Sequence, residues 1–600
     1  MTSQTAHDLR ADVCVLGAGI VGLWNALHYA KRGFSVVLLD ELTEHSTADY
    51  KVGESLLVFS NTFLRTIGEL DEELTDSFVK QGFWMAYGLE GKTSFDDTTC
   101  EWGFLAQLPD RWRDAVSDQR LVRAMAGDVQ IVRPEVEAAL RRTVAKTPEI
   151  TFCDYGLARD VVLADSAGDH VVSWQSRDRQ RTGTVSARWL IDCTGRARFL
   201  AGKFDHDLPF TDGFATGAAW GQFADCDPSV FDERWEYTFP EGRKIRRDLD
   251  TVHLWGDGYW VWVIRLTGNR ISVGVTVDRA RFDEHRNLRD VFWEIIGRYP
   301  LLEFLKPENL LQFHAYRDVQ RLSELTVSPR RYAIAGDSAS IIDALYSQGL
   351  SLSLSTSWHV GNIVQADLTG AGLDTEYVEH VNRAALADWR LTRSMARWKY
   401  SDAMADSRFF ILDHLLDYLV LSAALLPRFQ VSRWLTETGG RPDTETPTHV
   451  VLREKLRRSL FLTQLPPWNR VDPATVARIA EDWHRGLARR AQWRRANGIH
   501  LKPARAALRA DAAVPYLWRL AFPRADGELT PKAIIEPSFV RVKGTEISPA
   551  LLVAAGNLLL AVNLAALAYD VADTAVRRAE RATTRRWRAA VARGKAWVFA

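Results

Sequence analysis

The stretch Ala11 to Asp40 constrains this chain more than any other, because an apolar strand, ADVCVL, runs straight into Gly17-Ala18-Gly19-Ile20-Val21-Gly22 and then into a helix. Few folds begin this way. Gly17 permits the sharp reversal, Gly19 lets the backbone approach a pyrophosphate at the helix N-terminus, and Gly22 lets the helix lie against the strand. Asp40 closes the next apolar strand, VVLLD, at the distance expected of a carboxylate that accepts hydrogen bonds from ribose hydroxyls. The pattern predicts a dinucleotide-binding domain of the Rossmann type.

At 600 residues the chain is too long for one core, so two or three structural units are expected. Lys+Arg and Asp+Glu are both 76, which gives no global field to recruit nucleic acid. Five cysteines at wide, unpatterned spacing support neither a disulfide framework nor a zinc site, and a reducing cytoplasm is the simplest setting. The N-terminal residues lack the apolar run of a signal peptide. HExxH, nucleophile-elbow and P-loop motifs are missing, which removes the metalloprotease, α/β-hydrolase and kinase classes.

Further segments point to a flavin. In RWLIDCTGRAR a strand ends at Asp192-Cys193-Thr194-Gly195, and in YAIAGDSA another ends at Gly336-Asp337 just before a new helix. Such an acid can hold a ribityl chain while the helix N-terminus faces a pyrophosphate or isoalloxazine. In this order after the glycine turn, they resemble the FAD-binding set of the glutathione-reductase-like, aromatic-hydroxylase-type flavoproteins. The predicted fold is α/β: an interrupted Rossmann-type FAD-binding domain, an inserted β-rich substrate domain and a C-terminal helical region. The catalytic body covers 1–370, with FAD-binding parts near 8–60, 120–205 and 325–370 and substrate parts near 61–119 and 206–324; the helical region covers 371–600. Residues 376–437 read as helices, and the polar, Pro/Gly-rich stretch 436–447 as a flexible junction.

Three motifs sharpen the resemblance to flavin-dependent halogenases. KVGESLL, with Glu54 and Ser55, resembles their VGE(S/A) segment, and Trp260, Trp262 and Ile264 match their WxWxIP strand, with Arg265 in place of Pro. Asp343 to Leu350, with Tyr346, Ser347, Gln348 and Gly349, resembles the family's DP(L/V)(F/Y)SxG loop beside flavin and halide, with Ala344 in place of Pro. In that family reduced FAD, O2 and halide yield hypohalous acid, which a lysine beside the substrate tames as a hydrogen-bonded ammonium or a haloamine. Lys80, in the segment from Phe78 to Gly88, falls on the lysine of the KxGAxFxWG pattern of phenol and pyrrole halogenases; Phe83 and Met85 depart from it.

The resemblance implies an FADH2-dependent halogenase acting on a phenol, pyrrole or other electron-rich ring, free or tethered to a carrier protein. A separate flavin reductase is implied because the chain shows no second dinucleotide turn. The tryptophan-halogenase pattern fits less well, since its lysine position holds Trp84 and its loop acid is Tyr346. Arg133 resembles the family arginine near the flavin, and His253 and Tyr259 flank the WxW strand as candidate pocket residues. A flavin monooxygenase or a dehydrogenase/reductase remains an alternative, as does a catalytically silent flavin-binding protein that docks a carrier or a membrane. Residues 550–569 carry no charge and precede Arg577, Arg578, Arg581, Arg585, Arg586 and Arg588; that length could just span a bilayer, but its asparagines and alanines favour a buried helix.

Overall fold

The structure, a computed structural model, describes residues 7–40, 52–80, 82–105, 128–165, 168–238, 244–282, 286–423, 425–464, 471–496, 504–509, 540–542 and 545–547. Met1–Ile534 form one compact unit and Ile535–Ala600 a second, in which Val540–Val542 pairs antiparallel with Thr545–Ile547.

The fold is α/β with an interrupted Rossmann-type core. His7–Leu16 lies at the centre of the first sheet, paired parallel to Val36–Leu39 and to Thr182–Asp192, and these pair parallel to Ile150–Cys153 and Tyr332–Ile334 respectively. Strands buried on both faces read as unbroken apolar runs, which is why VCVL and VVLL show no alternation. One face packs against the helices Ile20–Ala30, Arg133–Lys146 and Gln348–Leu368 through Leu23, Leu27, Val136 and Leu354. The other packs against the antiparallel strands Leu157–Val162 and His170–Gln175.

The inserted domain supplies seven strands of a sheet that has eight among the described residues. Its centre, Thr251–Gly256, Tyr259–Leu266 and Arg270–Asp278, is antiparallel, whereas Gly82–Tyr87 joins Thr251–Gly256 in parallel. The period of two sorts its side chains. Phe83, Met85, Trp255, Trp260, Trp262 and Ile264 share one core with Leu345, Tyr346 and Tyr400, while Trp84, Leu254, Tyr259, Val261 and Val263 join Phe292 and Ile295 in another.

A third, small sheet matters most for the site. Val129–Gln130 pairs antiparallel with both Ser55–Leu56 and Phe78–Val79, so it is the central strand that bridges these two segments.

Beyond residue 370 the chain is not purely helical. Helices Thr375–Arg397, Ser407–Ala423, Leu425–Thr438, Pro447–Leu456 and Pro473–Ala496 are followed by Ala504–Arg509, which adds a parallel edge strand beside Cys100–Leu105. The expected flexible junction at 436–447 is instead a fastened turn. Glu445 accepts from the Trp434 indole at 2.7 Å and from Arg453 at 2.7 Å, His449 meets Glu437 at 2.6 Å, and Thr446 caps the next helix. Its composition suits a turn, and those side chains tie the turn down. Among the described residues no helix is long and apolar enough to cross a membrane. The uncharged stretch 550–569 and the arginines after it lie outside the described residues.

Candidate flavin and substrate site

The glycine turn has the geometry its sequence implies. Gly17 has φ +94°, and a Cβ there would lie 2.5 Å from the Cys193 carbonyl oxygen; one on Gly22 would lie 1.8 Å from the Gly17 oxygen. Gly19 is different: among the described residues a Cβ there meets nothing within 4 Å. Backbone thus closes tightly around the first and third glycines and leaves open space at the second, ahead of the helix N-terminus, which fits a pyrophosphate. Asp40 turns back to accept the Ala18 amide, bracing that turn.

Asp192 works inside the fold. Its buried carboxylate accepts from the Thr194 amide and hydroxyl at 2.9 and 2.7 Å and from the Leu200 amide at 2.7 Å, so it shapes the DCTG turn from behind rather than offering an oxygen to a ligand. Gly195, at φ +61°, has no neighbour among the described residues within 4 Å of a notional Cβ and leaves that turn open; Gly336, at φ +64°, packs against Val21 of the first helix, and the adjoining Asp337 is exposed.

Arg133 is a clamp. It donates to the Val52 carbonyl at 2.7 Å and to Glu137 at 2.6 Å, and its Nη1 would lie 2.6 Å from a Cβ on Gly53, so it fixes the VGES segment by a close backbone approach. Glu54 is 2 % exposed, and its Oε1 has no hydrogen-bond partner among the described residues. Burial pushes its carboxyl up to about 8, against a hydrogen bond to Ser272 and the charge of Arg133. An acid whose folded pKa is raised keeps its proton in the native state after the unfolded chain has lost it, so stability is lost as pH rises from about 4.5 to about 8. The stability of Glu54→Gln relative to wild type, followed by urea unfolding, should therefore improve across that interval by a few kcal/mol and then level off. A difference that stays constant with pH would show that Glu54 is ionised in the fold.

Lys80 is not a solvated surface lysine. The small sheet delivers it beside Ser55, and its Nζ donates to Ser55 Oγ at 2.8 Å and Thr251 Oγ1 at 3.4 Å, with Asp128 at 3.5 Å. Gln130 Oε1 accepts from Thr251 at 3.3 Å, and the Lys80 nitrogen sits 4.1 Å from the Phe83 ring centre. The lysine is fully buried; burial lowers its pKa and Asp128 and Asp250 oppose the shift. Asp250, also buried, is held well above the usual carboxylate range by desolvation.

Aromatic rings continue from this cluster. Phe83 lies 6.2 Å from both His253 and Tyr346, His253 lies 5.3 Å from Trp260, and Trp260 lies 5.6 Å from Trp255 and from Trp262. Burial holds His253 down near 3, so it is neutral. Trp262 reaches Ser272 at 3.4 Å and packs over Gly274, where a Cβ would clash with its ring at 2.1 Å. Trp260 donates to the Tyr400 hydroxyl at 2.7 Å, which donates to Asp343 at 2.7 Å; burial pushes Asp343 up to about 6 against those bonds. The WxW strand is thereby tied to the loop Asp343 to Gln348. There Tyr346 and Ser347 both adopt left-handed backbone, at φ 59° and 54°, roughly 1–2 kcal/mol each for residues with a side chain. Gln348 donates to the Tyr346 carbonyl at 3.2 Å, and Gly349, in the first turn of the long helix Gln348–Leu368, has no described atom within 4 Å of a notional Cβ.

One sequence candidate falls elsewhere. Tyr259 points to the opposite face of the sheet, where its hydroxyl meets Tyr299 at 3.1 Å and donates to Glu90, because alternation sends it away from Trp260. Trp84 does likewise, donating to Glu101 at 2.7 Å. Arg265 pairs with buried Asp248 and lies over the Phe78 ring, which accounts locally for its departure from proline. Residues that sequence reasoning missed are Asp128, Thr251 and Asp250 around Lys80, and Tyr400, Lys399, Asp413, Asp417 and His484 from the helical segment. Asp413 and Asp417, four apart in the apolar run LDHLLDYL, were the visible signal for that set, since such spacing puts both acids on one buried helix face.

The FAD dependent oxidoreductase family model matches residues 12–49. The chain is 25% identical over 386 residues to the flavin-dependent halogenase gsfI of Penicillium aethiopicum, covering 60% of this chain and 65% of that one. It is 23% identical over 388 residues to the tryptophan 2-halogenase of Chondromyces crocatus, covering 63% and 66%. The aligned region thus spans about two thirds of these curated relatives. Among solved structures, halogenase PltM in complex with phloroglucinol and FAD superposes with a TM-score of 0.61 at 16% identity, covering 87% of this chain and 98% of that one. The flavin-dependent halogenase CmlS does so at 0.52 and 19%, covering 81% and 78%. The fold is theirs, the sequence relatives are flavin-dependent halogenases, and FAD is the cofactor.

Proposed function

We propose that this homologue of the flavin-dependent halogenases is an FADH2-dependent halogenase that installs chloride or bromide on an electron-rich aromatic, a phenol or pyrrole, free or carried on a protein. The observation that supports it is the position of Lys80, buried between the VGES segment and a wall of aromatic rings. Gly17, Gly19, Gly22, Asp40 and Gly195 hold the adenosine and pyrophosphate half of FAD; Glu54, Ser55, Arg133, Gly336, Asp337 and Gly349 surround its reactive end, with Asp192 as the brace behind. Reduced flavin, charged by a separate reductase, supplies hypohalous acid from O2 and halide. Lys80 receives it: an ammonium held by Ser55 and Thr251 donates to the oxidant, and the desolvation that lowers its pKa favours the free amine needed for a haloamine. Trp260, Trp262, Tyr346, Ser347 and Gln348 line the halide and substrate side, where rings exclude the water that would waste the oxidant.

The test supplies FAD, a flavin reductase with NADH, O2 and bromide, and offers phloroglucinol, with products read by mass spectrometry. A bromine isotope pattern is expected. Addition of one oxygen would make the protein a monooxygenase, loss of two hydrogens a dehydrogenase, and bound FAD without any substrate oxidation a silent flavin binder.

A further inference from the structure

Four ionisable side chains that this chemistry leaves unused are buried together in the helical segment. Lys399 donates to Asp413, to Asp417 at 2.5 Å and to the Met395 carbonyl at 2.8 Å. His484 reaches Asp413 at 2.7 Å and Asp417 at 3.3 Å, and all four side chains are 0–1% exposed. Such a cluster is a poor device for stability, since apolar residues of equal volume commonly hold helices as well or better. It does reach one hydroxyl outside itself: Tyr346 donates to Asp417 Oδ2 at 2.8 Å. That tyrosine lies in the loop with two left-handed residues, and its ring meets edge-on the same Phe83 ring that Lys80 touches. Helices remote in sequence therefore deliver a carboxylate, through a tyrosine, to the wall of the aromatic compartment.

We propose that Asp417 is a positioning residue that takes up, through Tyr346, the proton of a phenolic substrate's hydroxyl. The inference rests on the halogenation reading and narrows its substrate class to phenols. The substrate O–H bond breaks and leaves its electron pair on the substrate oxygen. A new O–H bond forms on the Tyr346 oxygen as the tyrosine's own proton moves to Asp417. The phenolate ring then attacks the halogen of hypohalous acid, the O–X bond breaks, and the hydroxide released recovers the proton from Asp417 as water. The halogenated ring loses its hydrogen to its own oxygen and is again a phenol.

The electrostatics divide the two carboxylates as this step needs. Burial raises Asp417, whereas at Asp413 the charges of Lys399 and His484 outweigh burial and keep it ionised. One member can accept a proton while the other holds the cations. The groups facing Asp417 are Lys399 from the preceding turn, Asp413 from its own helix, His484 from Pro473–Ala496 and Tyr346 from the loop; the two carboxylates keep Lys399 and His484 protonated despite burial.

The experiment uses the full chain with FAD, reductase, NADH and bromide, and compares phloroglucinol with its trimethyl ether. Wild type is expected to brominate phloroglucinol at a nearly level rate from about pH 6 to 8. Asp417→Asn and Tyr346→Phe should each keep FAD, fall about 100-fold at the acid end and recover roughly tenfold per pH unit as hydroxide replaces the relay. On the ether, which has no proton to give, any loss in either variant should be smaller than on phloroglucinol and should not vary with pH. A loss that is equal at every pH, or equal on the ether, overturns the relay while leaving halogenation standing. If Asp417→Asn loses FAD, Tyr346→Phe, which keeps all four charges, decides by the same profile. No brominated product from wild type on either compound overturns the halogenation reading itself, and the relay with it.

Discussion

Lys80→Ala is expected to abolish halogenated product, by at least about 100-fold, while FAD binding and NADH-driven oxygen consumption persist. The lysine sits between Ser55 of the VGES segment and the Phe83 ring, and in the proposed reaction it acts on the oxidant after it has formed. Its removal should also be felt in the fold. Asp128 and Asp250 are buried against its charge, and breaking a buried pair by deleting one partner costs about 3–5 kcal/mol. Asp250 softens that cost, because its carboxyl already sits high and goes higher without the lysine, so it takes a proton instead of staying as a stranded anion. Lys80→Met keeps the packing against Phe83 and separates the two effects: it should be more stable than Lys80→Ala and equally inactive. Product by mass spectrometry, oxygen uptake and urea unfolding read these outcomes together. Wild-type halogenation by either variant would remove Lys80 from the chemistry, and loss of FAD would make it a structural residue.

The parts of this molecule legible in the sequence are those in which chemistry is local. The glycine turn is one, because strand, reversal and helix must follow one another within a few residues, and the open space at Gly19 beside the closed ones at Gly17 and Gly22 is what that spacing implies. The alternation in YWVWVIRL is another: it puts Trp260 and Trp262 on one face and carries Tyr259 to the other, a distinction the sequence contained and the choice of Tyr259 as a pocket residue overlooked. What was not legible depends on long-range pairing. Lys80 meets Ser55 only because Val129–Gln130 pairs with both of their strands, and two-residue strands leave no periodicity to read. Asp192 ends a strand as a ligand-binding acid would, but its partners Thr194 and Leu200 use it to build the turn. The 436–447 stretch has the composition of a linker and the side chains of a fastened turn; composition reports how a backbone can bend, not whether Glu445 finds Trp434 and Arg453. The edge strand Ala504–Arg509 extends a sheet begun some four hundred residues earlier, beyond the reach of any local pattern.

Gly19→Val is expected to yield a folded protein that binds no flavin, and Gly22→Val a protein that does not fold. The two glycines are three residues apart and differ in what surrounds them. A Cβ on Gly22 would lie 1.8 Å from the Gly17 carbonyl oxygen, so any side chain there must open the turn and lift the first helix from the sheet, where Leu23 and Leu27 belong to the core. A Cβ on Gly19 meets no atom of the described residues within 4 Å, and its backbone, at φ −73°, suits an ordinary L-residue. Valine at this position therefore disturbs the apoprotein little, costing no more than about 1 kcal/mol as a β-branched residue at a helix start. Its methyl groups fill the opening through which a pyrophosphate reaches the amides of the turn, and flavin affinity should fall by at least about 100-fold. Absorbance of bound flavin, flavin fluorescence quenching and circular dichroism separate the cases: native ellipticity without flavin for Gly19→Val, lost ellipticity for Gly22→Val. Stoichiometric flavin on folded Gly19→Val would mean that the opening at Gly19 is not where the pyrophosphate enters, and the cofactor assignment would then have to rest on the Gly195 and Gly336 turns alone.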